Sequence, residues 1–376
     1  MSTVHVRPAT DAAVWDAFLA AQPYRPFLQS WTMGDVYADI GQTPVRLQIE
    51  QDGEVIGICF GHVVPARRGR HLSVPYGPLF AYTLTPLDFQ DIAAPLLEAL
   101  RQTAKQHDCA FVRCSPFLAR NDEAAFMAMI RDGGGHTLHA PLHLLAEQVW
   151  YLPLTTVNPW QDPAAPPLPA QSVNEEELFK QFRSTTRNLI RRAEKDGVTV
   201  RASRDPNADV EHFLKLHDET RQRHGFTPYT NAFFRAQVKR FAARSECTVY
   251  LAEYQGQVIA SSVHMHAFGE TSYHHGANAD AFKKIPSSYL LQWTAIKDAI
   301  QRGDRIYNFW GIAPLIEDKD GKKQAAPGHP FSGVTLFKTG FGGNLLELAR
   351  CLDIPLTLKY HGTRAFEVFR KWRRGF

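Results

Sequence analysis

The chain has 376 residues, 44% hydrophobic and 21% charged, with a formal net charge of +4. That length implies two domains and the composition is that of an ordinary globular protein, while no apolar run reaches the roughly 18 residues of a membrane span. Five cysteines (Cys59, Cys109, Cys114, Cys247 and Cys351) form no CxxC pair and are odd in number, which argues against a disulfide framework or a zinc site and fits reduced thiols in the cytoplasm. Met1 to Arg7 lacks the charged-then-apolar order of a signal peptide.

In chain order, Val4 to Arg7 begins a strand, and Asp11 to Ala21 reads as a helix with Val14, Phe18 and Leu19 on one side. An aromatic cluster follows at Phe27-Leu28-Gln29-Ser30-Trp31. Val45 to Val63 is strand, turn, strand, with Asp52-Gly53 at the turn, a strong hairpin signal. His71 to Pro75 is a third strand, running into Tyr76-Gly77-Pro78. Pro86 to His107 is a helix entering a buried strand, Cys109 to Val112.

Pro153 to Gln171 carries six prolines and reads as a linker. Beyond it, Ser172 with Glu175 has the spacing of a capping box opening one helix. Arg183, Arg187, Arg191 and Lys195 fall four apart on one face, with Phe179, Phe182, Ile190 and Ala193 on the apolar one. The stretch from Lys180 to Lys195 holds six Lys/Arg against one acid, and His361 to Phe376 holds five against one. Such segments attract polyanions, although a charged stripe is equally a solvated face.

The first order of elements then returns. Val198 to Arg201 is a strand, Val210, Phe213 and Leu214 mark a helix, and Thr248 to Ala267 is a hairpin turning at Gln255-Gly256. Thr271 to His275 is a strand, Pro286 to Arg302 a helix, and Arg305 to Phe309 a buried strand. Offsets of 194 at Val4/Val198, 203 at Gly53/Gly256 and 196 at Asp108/Asp304 point to an internal duplication. Each copy has the mixed α/β order of GNAT-type acyltransferases. The expected fold is therefore α/β (α+β), two tandem GNAT-like domains with a cleft between them. The first spans residues 1–152 joined by a C-terminal helix over 358–376, the linker 153–172, and the second 173–357.

Ala313 to Gly333 reads as a mobile loop. It leads into Phe337-Lys338-Thr339-Gly340-Phe341-Gly342-Gly343, a lysine between aromatics ahead of a glycine cluster. Its plain reading is a strand entering a tight turn with a solvated lysine. Its functional reading is backbone close to a ligand and a cation neutralising a phosphate or developing anion.

Sixteen histidines invite a metal reading, but His264, His266, His274 and His275 have no ligand-type spacing. No GxSxG serine or nucleophilic cysteine motif is present, and neither is the R/Q-x-x-G-x-G/A pyrophosphate loop of acetyl-CoA enzymes. No metal or cofactor is expected. Two GNAT-like copies without that loop need another acyl donor, or do no chemistry.

Taken in order, the aromatic, glycine-rich and basic clusters resemble the FemABX family of peptidyltransferases. They run from Phe27–Trp31 through Tyr76-Gly77-Pro78, Arg187 to Val198, Thr220 to Phe226 and Tyr289 to Trp293. They continue with Phe309-Trp310-Gly311, Gly333 to Gly343 and Asp353-Ile354-Pro355-Leu356. The resemblance implies transfer of an amino acid from aminoacyl-tRNA to the peptide-stem amine of a peptidoglycan precursor, UDP-MurNAc-pentapeptide or lipid II. It implies a compact form without a helical arm, and a place in the cytoplasm or at the inner face of the plasma membrane. It makes Lys338 the charge stabiliser during transfer, with Phe337 and Phe341 as walls. Arg223 and Tyr273 become candidates to hold phosphate or carboxylate groups, and Tyr76, Gln29 and Trp31 substrate-binding candidates in the first domain. Arg187, Arg191, Arg370, Lys371, Arg373 and Arg374 become tRNA-backbone candidates; no DNA partner is implied, and membrane contact is at most peripheral, through a lipid-linked substrate.

Two features depart from that family. Thr32 to Ile40 has no lysine, and Leu79 to Tyr82 no acid, so the accepting precursor is open and no general base can be named. Two alternatives remain from the residues alone: an N-acyltransferase using acyl-CoA or another thioester, and a non-catalytic tRNA-binding module.

Overall fold

The structure is a computed structural model that describes residues 3–66, 69–84, 88–161, 171–224, 229–317, 323–326 and 328–374; the side chains of 222–224, 323 and 374 lie outside that description. The chain folds as two compact units, Met1–Glu147 with Glu347–Phe376, and Gln148–Leu346.

The first unit begins with β1 (Val4–Pro8), α1 (Ala12–Ala21), α2 (Trp31–Asp39) and the hairpin β2 (Pro44–Gln51) and β3 (Glu54–Val64). It continues through β4 (His71–Pro75), β5 (Leu79–Phe80), α3 (Phe89–Gln106), β6 (Phe111–Ser115), α4 (Glu123–Asp132) and β7 (Leu138–His139). The second unit holds β8 (Gln148–Pro153), α5 (Glu175–Gln181), α6 (Ser184–Lys195), β9 (Thr199–Ala202), α7 (Pro206–His224), α8 (Asn231–Ala242), β10 (Cys247–Tyr254) and β11 (Gln257–Met265). Then come β12 (Glu270–Asn278), α9 (Ser287–Arg302), β13 (Ile306–Gly311), the small pair β14 (Leu315–Glu317) and β15 (Lys323–Ala325), α10 (Ser332–Thr339) and β16 (Asn344–Glu347). β17 (Leu352–Pro355) and α11 (Lys359–Arg374) belong to the first unit.

The two sheets are built alike. Their strand orders are β1-β2-β3-β4-β6-β17-β7, with β5 beside β3, and β9-β10-β11-β12-β13-β8-β16. Each carries one parallel pair at the same place, β4 with β6 and β12 with β13. Both hairpins turn through two residues of positive φ, Asp52-Gly53 and Gln255-Gly256, the geometry that matches strand twist. Each has a register shift just before the turn, between Ile49 and Glu50 and between Ala252 and Glu253. Even the helix ends agree: a left-handed residue follows each, Asp108 and Gly303, and the next amide reaches back five residues, Cys109 to Ala104 and Asp304 to Ala299. The sixth strand is exchanged in chain order, since β8 precedes the second copy yet joins its sheet, and β17 follows it yet joins the first.

Apolar periodicity explains the packing. α3 buries Ile92, Leu96 and Leu100 against Leu47, Leu72, Val74 and Val112, and α9 buries Leu290, Trp293 and Ile296 beside Tyr250, Ala260 and Tyr307. Truncating any such leucine or isoleucine to alanine would cost about 2–5 kcal/mol.

Two local expectations are corrected. The single helix opening at Ser172 is two helices, capped by Asn174, whose side chain accepts from the Glu176 and Glu177 amides; Ser172 instead bridges to Thr155. The break falls at Phe182 and Arg183, both extended, because Phe182 turns inward onto Trp293 and Phe341. The segment holding Lys338 is a helix rather than a strand, and its lysine is buried rather than solvated. Of the expected loop over 313–333, residues 318–322 and 327 lie outside the described residues, as do 162–170 of the proline-rich linker.

Candidate active site

The second unit holds a cavity of about 460 Å³. β12 lines it with Tyr273, His274 and Gly276, the start of α9 with Ser288 and Tyr289, β13 with Trp310, and α10 with Val334, Phe337 and Lys338. Thr220 of α7 closes one side.

Several hydrogen bonds fix α10 in place. Thr335 Oγ1 donates to the Phe331 carbonyl and accepts from the Ala313 amide at 2.8 Å. Arg183 donates from its guanidinium to the Leu336 carbonyl and from its backbone to the Gly340 carbonyl, satisfying orphan acceptors at the helix end. The Trp150 indole donates to the Gly342 carbonyl at 2.7 Å.

Two of the three glycines serve this seating. A Cβ on Gly340 would meet Thr186 Oγ1 at 2.3 Å, and one on Gly343, whose φ is +99°, would meet the Tyr151 carbonyl oxygen at 2.3 Å. At Gly340 and Gly343 the close backbone approach is therefore to α6 and β8.

Lys338 is 7% exposed. Its Nζ donates to the Gly311 carbonyl at 2.6 Å and lies 5.8 Å from the Tyr273 ring centre. It forms no ion pair among the described residues. Burial without a counter-charge lowers its pKa to about 7, so near neutral pH the amine exists in both protonation states. Burial also raises the Tyr273 phenol to about 12 and lowers His274 to about 3, leaving both neutral. Trp310 sits at a register shift with φ +68°, its amide donating to Asn308 Oδ1. Gly276 leaves room for Tyr273, since a Cβ there would lie 1.9 Å from the Tyr273 hydroxyl.

Behind Tyr273 runs a buried polar chain. His264 stacks on the Tyr273 ring, its Nε2 lies 2.8 Å from Tyr307 Oη, and Tyr307 donates to Gln292 Oε1 at 2.6 Å. Tyr307 has one proton, given to Gln292, so His264 Nε2 carries a proton and donates. Burial holds His264 well below its ordinary pKa.

Lys338, Phe337 and Tyr273 thus share one wall system. Phe341 does not reach it: fully buried, it packs on Phe182 and Phe309. The Arg223 side chain lies outside the described residues. In the first unit, Gln29 is fully buried, its amide donating to the Phe60 and Pro75 carbonyls and its oxygen accepting from the Phe60 amide. Those bonds leave Gln29 tying two strands together rather than facing a substrate. Trp31 packs under the Arg46 guanidinium, 4.1 Å away, and edge-on to Trp15. Tyr76, with φ +52°, donates to the Ala146 carbonyl and packs edge-on to Phe117.

Among the basic residues, Arg187 donates to the Lys180 and Phe182 carbonyls and so caps α5. Arg191 lies over Phe179. Arg370, Lys371 and Arg373 are on α11, whereas the side chain of Arg374 lies outside the described residues. Trp310, Tyr289 and Thr220 fall in segments that carry the resemblance, and His274 among the histidines weighed for metal, but spacing alone did not separate them from core residues.

Among known proteins, the family model described as FemAB family matches residues 10–255 and 248–367. Aminoacyltransferase FemA of Staphylococcus aureus is 30% identical over 79 residues, which is 21% of this chain and 16% of that relative's length. The crystal structure of FemX superposes with a TM-score of 0.73 over 96% of this chain and all of that one, at 17% identity. L-PGS from Bacillus licheniformis gives 0.53 over 95% and 96%, at 16% identity. A tandem GNAT protein from the clavulanic acid biosynthesis pathway gives 0.50 over 94% and 97%, at 12% identity. The fold is accordingly two tandem GNAT-like domains, and with a family match spanning most of its length the chain belongs to the FemAB family.

Proposed function

We propose that the protein is an aminoacyltransferase that moves an amino acid from the ester of an aminoacyl-tRNA to the stem amine of a peptidoglycan precursor, nucleotide-linked or lipid-linked. The observation that carries the reaction type is a lysine of lowered pKa in a cavity wall with no carboxylate partner among the described residues. The ester is already activated, so positioning, one proton transfer and charge stabilisation suffice.

Neutral Lys338 Nζ takes a proton from the attacking amine as the N–C bond forms. The resulting ammonium faces the oxyanion, and as the ester C–O bond breaks it returns the proton to the departing ribose oxygen. The proton acceptor that sequence could not name is thus the same residue that supplies the charge. Phe337 and Tyr273 wall the reacting groups, and Arg223 is a candidate for precursor phosphates or carboxylates. Tyr76 and Trp31 are the substrate-binding candidates of the first domain, and Gln29 ties the segment leading into Tyr76 to β3. Arg187 and Arg191 are tRNA-backbone candidates, whose contribution weakens with salt.

Incubation with tRNA charged with labelled amino acids, together with nucleotide-linked and lipid-linked precursors, is expected to give a labelled precursor. No transfer from any charged tRNA overturns the reading, and a melting temperature raised by acyl-CoA points to the thioester alternative.

A further inference from the structure

We infer that α11 docks the protein on an anionic lipid surface. The helix is anchored by one face: Tyr360 and Thr363 are buried, Arg364 donates to the His139 carbonyl, and Glu367 accepts from Arg113. That leaves the opposite face outward, and it is apolar where a surface helix would normally be polar. Val368 is 49%, Phe369 52% and Trp372 77% exposed, and Leu358, just ahead of the helix, is 88% exposed. The Phe369 and Trp372 rings lie 5.9 Å apart, centre to centre, and form one apolar patch near the end of the helix.

Charge decides the occupant. Arg370, Lys371 and Arg373 flank these side chains and form no ion pair among the described residues, while the nearby acid, Glu367, is held by Arg113. At the start of the helix, Lys359 shares a cavity of about 530 Å³ with Arg101 and Lys105, three cations against one acid, Asp108. A second copy of the same cationic face would meet it with like charge. A nucleic-acid backbone would match the cations but leave Trp372, Phe369 and Leu358 in water. Acyl chains accept the aromatic and aliphatic groups while lipid phosphates meet the basic rim, the arrangement of helices that lie in the interface plane. This inference does not rest on the proposed chemistry, and vesicle binding is read without turnover.

The test is co-sedimentation of the full chain with vesicles of phosphatidylglycerol and phosphatidylcholine at low and moderate salt. Expected is retention on phosphatidylglycerol-rich vesicles, weakened by salt and at least tenfold weaker for F369S/W372S and for R370E/K371E/R373E. Brominated acyl chains should quench tryptophan emission in the wild type and lose that component in W372F. Unchanged melting temperatures keep the variants interpretable, since the altered side chains are exposed. Absence of vesicle binding overturns the inference, as does binding that survives F369S/W372S. Concentration-dependent dimers abolished by F369S/W372S, without vesicle binding, would assign the face to a second copy.

Discussion

Lys338 sets competing demands on one residue. If it acts as the base, kcat/KM rises with pH through about 7, the value to which burial lowers its pKa. Lys338→Arg keeps the charge but cannot deprotonate, so it should lose activity about as badly as Lys338→Ala, on the order of 10²-fold, and lose that pH limb. Retained activity in Lys338→Arg would assign the residue to charge stabilisation alone. Stability follows from the same shift. Between pH 7 and the unfolded-state value the unfolded chain binds a proton that the folded chain does not, so stability rises with pH in that window. Relative to Lys338→Met, the wild type should gain on the order of 2 kcal/mol from pH 7 to 9 in urea titrations. Gln29 has the opposite character. Gln29→Ala strands the Phe60 amide and the Pro75 carbonyl, and a cost of about 2–4 kcal/mol is expected in the same titrations. A polar residue in an aromatic cluster reads as a contact in sequence; only the backbone partners reveal that this one is a tie.

At the scale of elements, α11 hangs on one buried charge cluster. Arg113 donates to both carboxylate oxygens of Asp353 and to Glu367, and Tyr360 donates to Asp353. Removing Asp353 leaves the buried Arg113 with Glu367 alone and takes the acceptor from Tyr360, so Asp353→Ala should cost about 3 kcal/mol and expose the segment before Lys359 to protease, which limited digestion would register. Periodicity made strands, hairpins and the long helices legible, because each buries one regular face. It misread α5 and α6 as one helix because spacing alone does not register that Phe182 must turn into the core. It misread α10 because Thr335, whose side chain bonds Phe331 and Ala313, carries no signal of a helix start in sequence.

At the scale of the whole molecule, the duplication was legible because turns and helix ends carry residue-specific signals, such as glycine after Asp52 and Gln255. The cavity was only half legible: Lys338, Phe337 and Tyr273 were singled out, whereas Trp310 and His274 come to it through a register shift and a pleat that no spacing rule encodes. Of the glycines near Lys338, the space at Gly340 and Gly343 is taken by Thr186 and Tyr151, partners that spacing along the chain does not reveal.

The exchanged strands carry a consequence for synthesis. The first sheet contains residues 352–355 between β6 and β7, so on the ribosome that unit waits for nearly the whole chain before it can be completed. Meanwhile β8 emerges early and stays unpaired until β13 follows it. Exposed strand edges of this kind are where nascent chains aggregate. A chain divided within 156–171 should therefore yield two fragments that are insoluble when expressed apart and soluble only when produced together, a difference readable in the supernatant and by circular dichroism. Recovery of a cooperatively folded fragment 1–156 alone would show that β17 is dispensable to the first sheet.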